Sequence, residues 1–385
     1  MWKYVLSRLA QMAATLLVFF ALTYFILDAQ PGDITLQYMN PRFTEAQREM
    51  LRSRLGLDRP VGERFLRWLG NTMQGDLGDS FVEGRPVMEI IKERAPRTVF
   101  LFLTAAIVEF FIGYYLGRVM AWQRGTALEY GITVVGAVLF TIFTPWFALI
   151  MIWLFSYNLK WFPLGKFLDP TVWRKVPADS HITANLIFNN LILTATLVVV
   201  AVVVIAFLAQ RYARGRAAWL TAQGGLVVSA VAIIGWGLYE YGYLAWDLIR
   251  HLVLPVLTLT IINFSGTMLL TRTTMLETLR EDYVMAARAK GLSENVVRVH
   301  HAARNALLPV FTSLVISLPF IMGGGIITET IFSWPGMGLT LLNSSTSGDI
   351  PMIMGSFLFI GMLSLVAHLV ADVAYIFLDP RIRYA

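Results

Sequence analysis

The apolar residues fall into blocks of roughly 20 or more, the length a helix needs to cross about 30 Å of hydrocarbon. The blocks lie at about 6–27, 98–122, 130–157, 187–209, 219–239, 252–275, 307–331 and 352–378. The pattern predicts an all-α polytopic membrane protein with about eight transmembrane helices. An even number of spans puts both termini on one side. Lys3 and Arg8 before the first block also suit a signal peptide, but no small-x-small cleavage site follows before Pro31-Gly32-Asp33. The first block is therefore expected to be a retained span.

Charge gives the orientation. Arg118, Arg124, Arg211, Arg214, Arg216, Arg280, Arg288, Lys290, Arg298, Arg304, Arg381 and Arg383 all fall on one side, and the positive-inside rule makes it cytoplasmic. Both termini are then expected in the cytoplasm. The Arg-rich segment 29–96 falls outside, but a translocated segment of more than about 60 residues is largely exempt from the rule.

Composition agrees: 57% of the 385 residues are hydrophobic and 15% charged, too apolar for a soluble domain. The net charge of +6 comes from Arg residues scattered between apolar blocks, which reflects topology and argues against nucleic acid as a partner. The lack of cysteine excludes disulfides, thiolate metal sites and Cys nucleophiles.

Within the outer segment, Thr44 and Gln47 have capping-box spacing, and Ala46, Met50, Leu51 and Leu55 follow at helical intervals. A second helix is predicted after Asp58, with Pro60 in its first turn and Val61, Phe65, Trp68 and Leu69 on one face. Both are expected at the outer boundary or over the bundle mouth, as a structural cap. Trp122, Trp146, Trp161 and Trp246 near span ends suit interfacial anchoring.

The most informative stretch is cytoplasmic: Asp282-Tyr283-Val284-Met285-Ala286-Ala287-Arg288-Ala289-Lys290-Gly291-Leu292. Small residues with mixed charge, ended by Gly, predict a short helix with an accessible side and a tight turn. Small side chains let another surface approach closely, and Tyr283 and Arg288 would insert into a partner's groove. From composition alone an ordinary solvated loop is the better reading.

The stretch resembles the EAA loop of ATP-binding-cassette importer permeases, in the oligopeptide/dipeptide branch. The resemblance rests on Tyr283, Val284, Ala287, Arg288, Ala289, Lys290, Gly291 and Leu292, then His301, Arg304, Asn305, Ala306, Leu307 and Pro309. Met285 stands near the position of the glutamate in the general motif. Other segments are similar to the same family: Gln30–Asp33, Leu55–Pro60, Gly75–Ser80, Glu329–Gly338 and Leu378–Arg383. One stretch departs from it. Between Trp161-Phe162-Pro163 and His251-Leu252-Val253-Leu254-Pro255 stand about 80 residues holding the fourth and fifth blocks. An inserted hairpin (about 166–246) preserves topology and is expected at the periphery.

The resemblance implies the transmembrane domain of a type I importer. Its parts would be a first span (1–28), an extracytoplasmic segment (29–96) and a permease core (97–385) with a coupling loop at about 277–306. It further implies a second homologous permease, two ATPase subunits, an extracytoplasmic solute-binding protein and a bacterial or archaeal plasma membrane. ATP and Mg would bind the ATPases, since this sequence has no Gly-x-x-x-x-Gly-Lys-Ser/Thr loop. By analogy Asp282, Tyr283, Ala286, Ala287, Arg288, Ala289, Lys290 and Gly291 couple the permease to an ATPase. Peptides are the expected cargo, with oligosaccharides, nickel and other solutes as alternatives within the family. An ion-coupled transporter would be expected to show internal repeats, and no clear repeat is present.

Several residues within spans invite a role. Glu109 either faces the cavity and meets a charged substrate or, more simply, bonds within the bundle. His368 and Asp372, one turn apart, are expected to share an internal hydrogen bond. His300 and His301 are expected to be solvated or to contact the ATPase. Pro319 with Gly323, Gly324 and Gly325 would loosen or bend a span, as a gate hinge or for close helix packing.

Overall fold

The structure is a computed structural model, and it describes residues 2–29, 59–177, 180–212, 217–323 and 325–378. The predicted helix at 46–55, the Gln30–Asp33 turn and Gly324 lie outside the described residues. So do Arg214 and Arg216, most of the Leu55–Pro60 motif, and the C-terminal motif beyond Leu378.

The described residues form helices throughout. In chain order these are α1 (Trp2–Asp28), α2 (Val61–Met73), α3 (Val87–Trp122), α4 (Ala127–Thr141) and α5 (Thr144–Met151), which continues as a π-helical stretch Ile152–Asn158. Then follow α6 (Pro170–Trp173), α7 (Ala184–Tyr212), α8 (Ala217–Leu238), α9 (Gly242–Thr278) and α10 (Asp282–Ala289). A turn at Glu294–Val296 and a π-helical stretch Val297–Ala302 lead into the 21-residue α11 (Ala303–Gly323). The chain closes with α12 (Ile326–Ile331), α13 (Met337–Ser347) and α14 (Ile350–Leu378).

Six of these helices are long and apolar enough to cross a membrane: α1, α3, α7, α8, α9 and α14. A bent pair, α4 with α5 and its continuation, makes a seventh candidate. The block expected as one span at 130–157 is thus broken, with a bend of 107°. Ile142 is extended (φ −66°, ψ 137°) at the break. The chemical reason is Pro145, which has no N–H to donate to the Thr141 carbonyl four residues back and suits the first turn of a new helix. The block at 307–331 is also divided, because α11 ends at Gly323 and α12 starts at Ile326.

The chain forms two compact units: Met1–Leu149 with Val256–Ile331 and Pro335–Ala385, and Ile150–Pro255 with Phe332–Trp334. In the first, α11 packs along α14, and α3 packs against both. The predicted apolar face of α2 is real: Phe65 is buried, and Trp68 meets Phe20 of α1 edge-on at 6.0 Å between ring centroids. Asp28 and Arg64 close that contact with an ion pair of 2.7 Å.

Helices α3 and α9 meet at Gly113 and Gly117. A Cβ on Gly113 would lie 2.7 Å from the Phe264 carbonyl oxygen, and one on Gly117 would lie 2.5 Å from that of Met268. This is a small-xxx-small crossing, which membrane helices use because packing, rather than water exclusion, holds them together.

In the second unit α7 and α8 pair as a hairpin. Leu193, Leu197, Val203, Phe207, Val231 and Ile233 leave its surface apolar and exposed, the composition expected of a lipid-facing pair. Trp334 is fully buried in this unit, edge-on to Phe167 at 5.2 Å and to Phe188 at 6.1 Å between ring centroids.

Candidate functional site

The segment after α9 forms the predicted helix. The Glu281 carbonyl accepts from the Val284 and Met285 N–H groups at 2.9 and 3.2 Å, which starts α10. Asp282 stands in its first turn and Arg288 in its last, the favourable ends for each sign of charge. The helix stops because Gly291 turns left-handed (φ +79°), a conformation glycine adopts without a Cβ penalty. A Cβ at Gly291 would meet nothing within 4 Å, so the requirement there is one of backbone and not of space.

The two faces of α10 differ. Val284 and Ala287, three residues apart, are buried against Val297 and Leu279. Asp282, Tyr283, Ala286, Arg288, Ala289, Lys290 and Gly291 are exposed. Ala287 therefore anchors the helix to its own chain rather than facing a partner. The Asn305 amide donates to the Tyr283 hydroxyl at 2.7 Å. Arg288, expected to reach a partner, instead donates from Nε to Glu294 Oε1 at 2.9 Å. Both members of that pair are about half exposed, so it is worth ~0–1 kcal/mol and can exchange for another partner.

The far end of the segment is fixed in the bundle. Ala302, Ala303 and Ala306 are buried with Ala121 of α3 and Met275 of α9, and the Tyr114 hydroxyl donates to the Ala303 carbonyl at 3.0 Å. Small side chains thus hold the end of this segment against α3 and α9. His300 is exposed and His301 partly so. Among the described residues no group of three metal-capable side chains occurs.

Glu109 lies on α3 with its side chain 6% exposed. The simpler expectation, a bond within the bundle, is not met: among the described residues its carboxylate has no hydrogen bond or ion pair. It lines a cavity of about 340 Å³, whose other polar members are Thr144, Asn263 and Thr328. Pro319 and Gly323 lie in the last two turns of α11. A Cβ on Gly325 would lie 2.6 Å from the Phe102 ring of α3.

The segment leading into α13 is organised by a second carboxylate. Thr98 Oγ1 donates to Glu329 Oε1 at 2.7 Å and accepts from the Met337 N–H at 2.7 Å. Glu329 Oε2 accepts from the Leu339 N–H at 2.9 Å. Gly336 leaves room for this cluster, since a Cβ there would lie 2.3 Å from Glu329 Oε1. Nearby, Ser80 donates to Asp349 Oδ2 at 2.5 Å, tying the Gly75–Ser80 motif to the start of α14. His368 and Asp372 have separate partners. Asp372 pairs with Arg8 at 3.3 Å, and the His368 ring nitrogen meets the Ser364 carbonyl oxygen at 2.8 Å.

Two features escaped the sequence reading. One is the Gly113–Gly117 crossing, which the four-residue spacing signals. The other is Glu129, which accepts from Arg272 Nε at 2.6 Å and from the Gly125 N–H at 2.6 Å. Thr126 caps α4 by accepting from the Glu129 N–H. The Thr126-x-x-Glu129 spacing is that of a capping box, but the carboxylate is used to tie the start of α4 to α9.

Comparison with known proteins gives this architecture its context. Residues 111–384 match the family described as "Binding-protein-dependent transport system inner membrane component", and residues 1–102 match its N-terminal counterpart. The oligopeptide transport system permease protein AppB of Bacillus subtilis is 32% identical over 385 residues, covering 100% of both chains. A putative peptide permease protein of Brucella suis is 33% identical over 388 residues, covering 100% of this chain and 99% of its own. The di/tripeptide transport system permease protein DppB of Pseudomonas aeruginosa is 30% identical over 386 residues, with the same coverage. The chain is a multi-pass protein of the bacterial plasma membrane that works with a solute-binding protein, and it belongs to the binding-protein-dependent transport system inner membrane component family.

Proposed function

We propose that the chain is one of two homologous permease subunits of an ATP-binding-cassette importer for peptides, driven by two ATPase subunits that bind ATP and Mg. In this reading both termini are cytoplasmic, and about eight helices span the membrane, with α11 adding to the seven candidates. The hairpin α7–α8 lies at the periphery against lipid.

The observation that carries the reading is the exposed face of α10. Asp282, Tyr283, Ala286, Arg288, Ala289, Lys290 and Gly291 stand clear of the chain's own core. Val284 and Ala287 fix the helix from behind. A lever must do both: offer a surface to the motor and pass its displacement to the spans. Movement of α10 would reach α3 and α9 through Ala302, Ala303 and Ala306, altering which face of the membrane the transport path opens to.

Peptide as cargo is supported by the names of the relatives, an oligopeptide and a di/tripeptide transport system permease protein. The experiment is to purify the partner binding protein, identify the ligand it carries, and measure that ligand's ATP-driven uptake by the reconstituted importer. Peptide ligands whose uptake is lost in Arg288→Glu, with the complex still assembled, are the expected result. A non-peptide ligand removes the cargo assignment, and undiminished uptake in Arg288→Glu removes the coupling role.

A further inference from the structure

We propose that Glu109, with Asn263 beside it in the cavity, binds the amino-terminal ammonium group of a peptide in transit. The inference rests on the peptide reading above and assigns one residue contact within it. An anionic side chain removed from water without a partner is costly, and carboxylates inside spans ordinarily pair or line a functional path. Glu109 is buried, has no partner among the described residues and lines the cavity, so a ligand in that space is placed to meet it.

The lining says what would fit. Among the described residues Glu109 is its only charged member, and no Lys or Arg lines the space. Asn263, an exposed residue on α9, contributes an amide, and Thr144 and Thr328 contribute hydroxyls. The remaining wall is apolar, including Phe102, Leu259 and Ile327. One anion set among neutral acceptors and apolar surface selects a compact cation on a small apolar body. It disfavours a carboxylate through like charge.

The volume of about 340 Å³ stands at the small end of ligand cavities, roughly 300–1,000 Å³. That suits the end of a peptide rather than an extended chain. The free amino group is also the cation that unmodified peptides share whatever their sequence, so a contact there would grip many cargoes without choosing among side chains.

The test uses the assembled importer with its binding protein in lipid vesicles. Dicyclohexylcarbodiimide, which modifies carboxyl groups in apolar surroundings, is read out at Glu109 by mass spectrometry. Millimolar trialanine is expected to lower that labelling about fivefold, while N-acetyltrialanine leaves it unchanged. Glu109→Gln should slow trialanine uptake about tenfold, a loss of about 1.4 kcal/mol, and Glu109→Asp should largely restore it. Rates are normalised to assembled complex, so poor assembly does not mimic the effect.

Equal protection by the two peptides, protection by neither, or normal uptake in Glu109→Gln overturns the assignment. A wild-type importer that moves no trialanine, although its binding protein carries it, overturns the peptide reading and this site with it.

Discussion

Thr98 and Glu329, 231 positions apart in sequence, are joined by a buried 2.7 Å hydrogen bond that ties α3 to α12. The same hydroxyl receives the Met337 N–H, and the other carboxylate oxygen receives that of Leu339. Two backbone donors at the start of α13 therefore depend on these two side chains. An orphaned buried donor costs roughly 1–3 kcal/mol. Glu329→Ala is expected to lower the thermal unfolding midpoint of the detergent-solubilised protein more than Glu329→Gln, which keeps an acceptor. Equal stability of the two variants would remove this role.

The crossing of α3 and α9 sets a second expectation. Gly117→Ala places a methyl group 2.5 Å from the Met268 carbonyl oxygen, so the helices must separate, at a cost of about 1–3 kcal/mol. Gly235→Ala on α8 is the control, since a Cβ there meets nothing within 4 Å. It should change stability by less than about 0.5 kcal/mol. Parallel unfolding curves for both variants decide the matter.

Glu129 and Arg272 make a third. Arg272→Met leaves the carboxylate buried without its cation, at a cost of about 3–5 kcal/mol. Adding Glu129→Gln should recover much of that loss, because the neutral amide needs no cation. A double variant as unstable as the sum of its parts would contradict the pairing. The measurement is a double-mutant cycle on unfolding in detergent.

How far the sequence foretold these features depended on the kind of signal. Spans such as α1, α3, α7, α8, α9 and α14 were legible because lipid demands a long apolar block. The turn after α10 was legible because Gly291 alone tolerates the left-handed backbone there. The break between α4 and α5 was not read, because the hydroxyls of Thr141 and Thr144 that flank it are tolerated within an apolar span, and Pro145 was the one strong sign of it. Helix α13 was hidden for the opposite reason: it is short, and its start is held by Glu329 together with Thr98, which is remote in sequence. Ala287 had the same composition as its neighbours, and only its packing against Val297 separates an anchoring alanine from the presented ones.

The Arg288–Glu294 pair permits a sharper test of coupling. Glu294→Gln and Arg288→Glu both break it. If Arg288 acts only by holding Glu294, the two variants should transport alike. If it acts on a partner, Arg288→Glu should lose transport by about tenfold or more, equivalent to about 1.4 kcal/mol. Glu294→Gln should then stay near the wild-type rate. Uptake by vesicles holding equal amounts of complex supplies the comparison.

The central claim is that the exposed face of α10 meets an ATPase, and cross-linking tests it most directly. The chain contains no cysteine, so Ala286→Cys introduces a single thiol on that face. Met73→Cys, at a side chain 82% exposed at the end of α2, serves as control. With a short thiol-directed photo-cross-linker in the assembled importer, Ala286→Cys should join to an ATPase subunit and Met73→Cys should not. No ATPase adduct from Ala286→Cys, or equal adducts from both positions, would contradict the account.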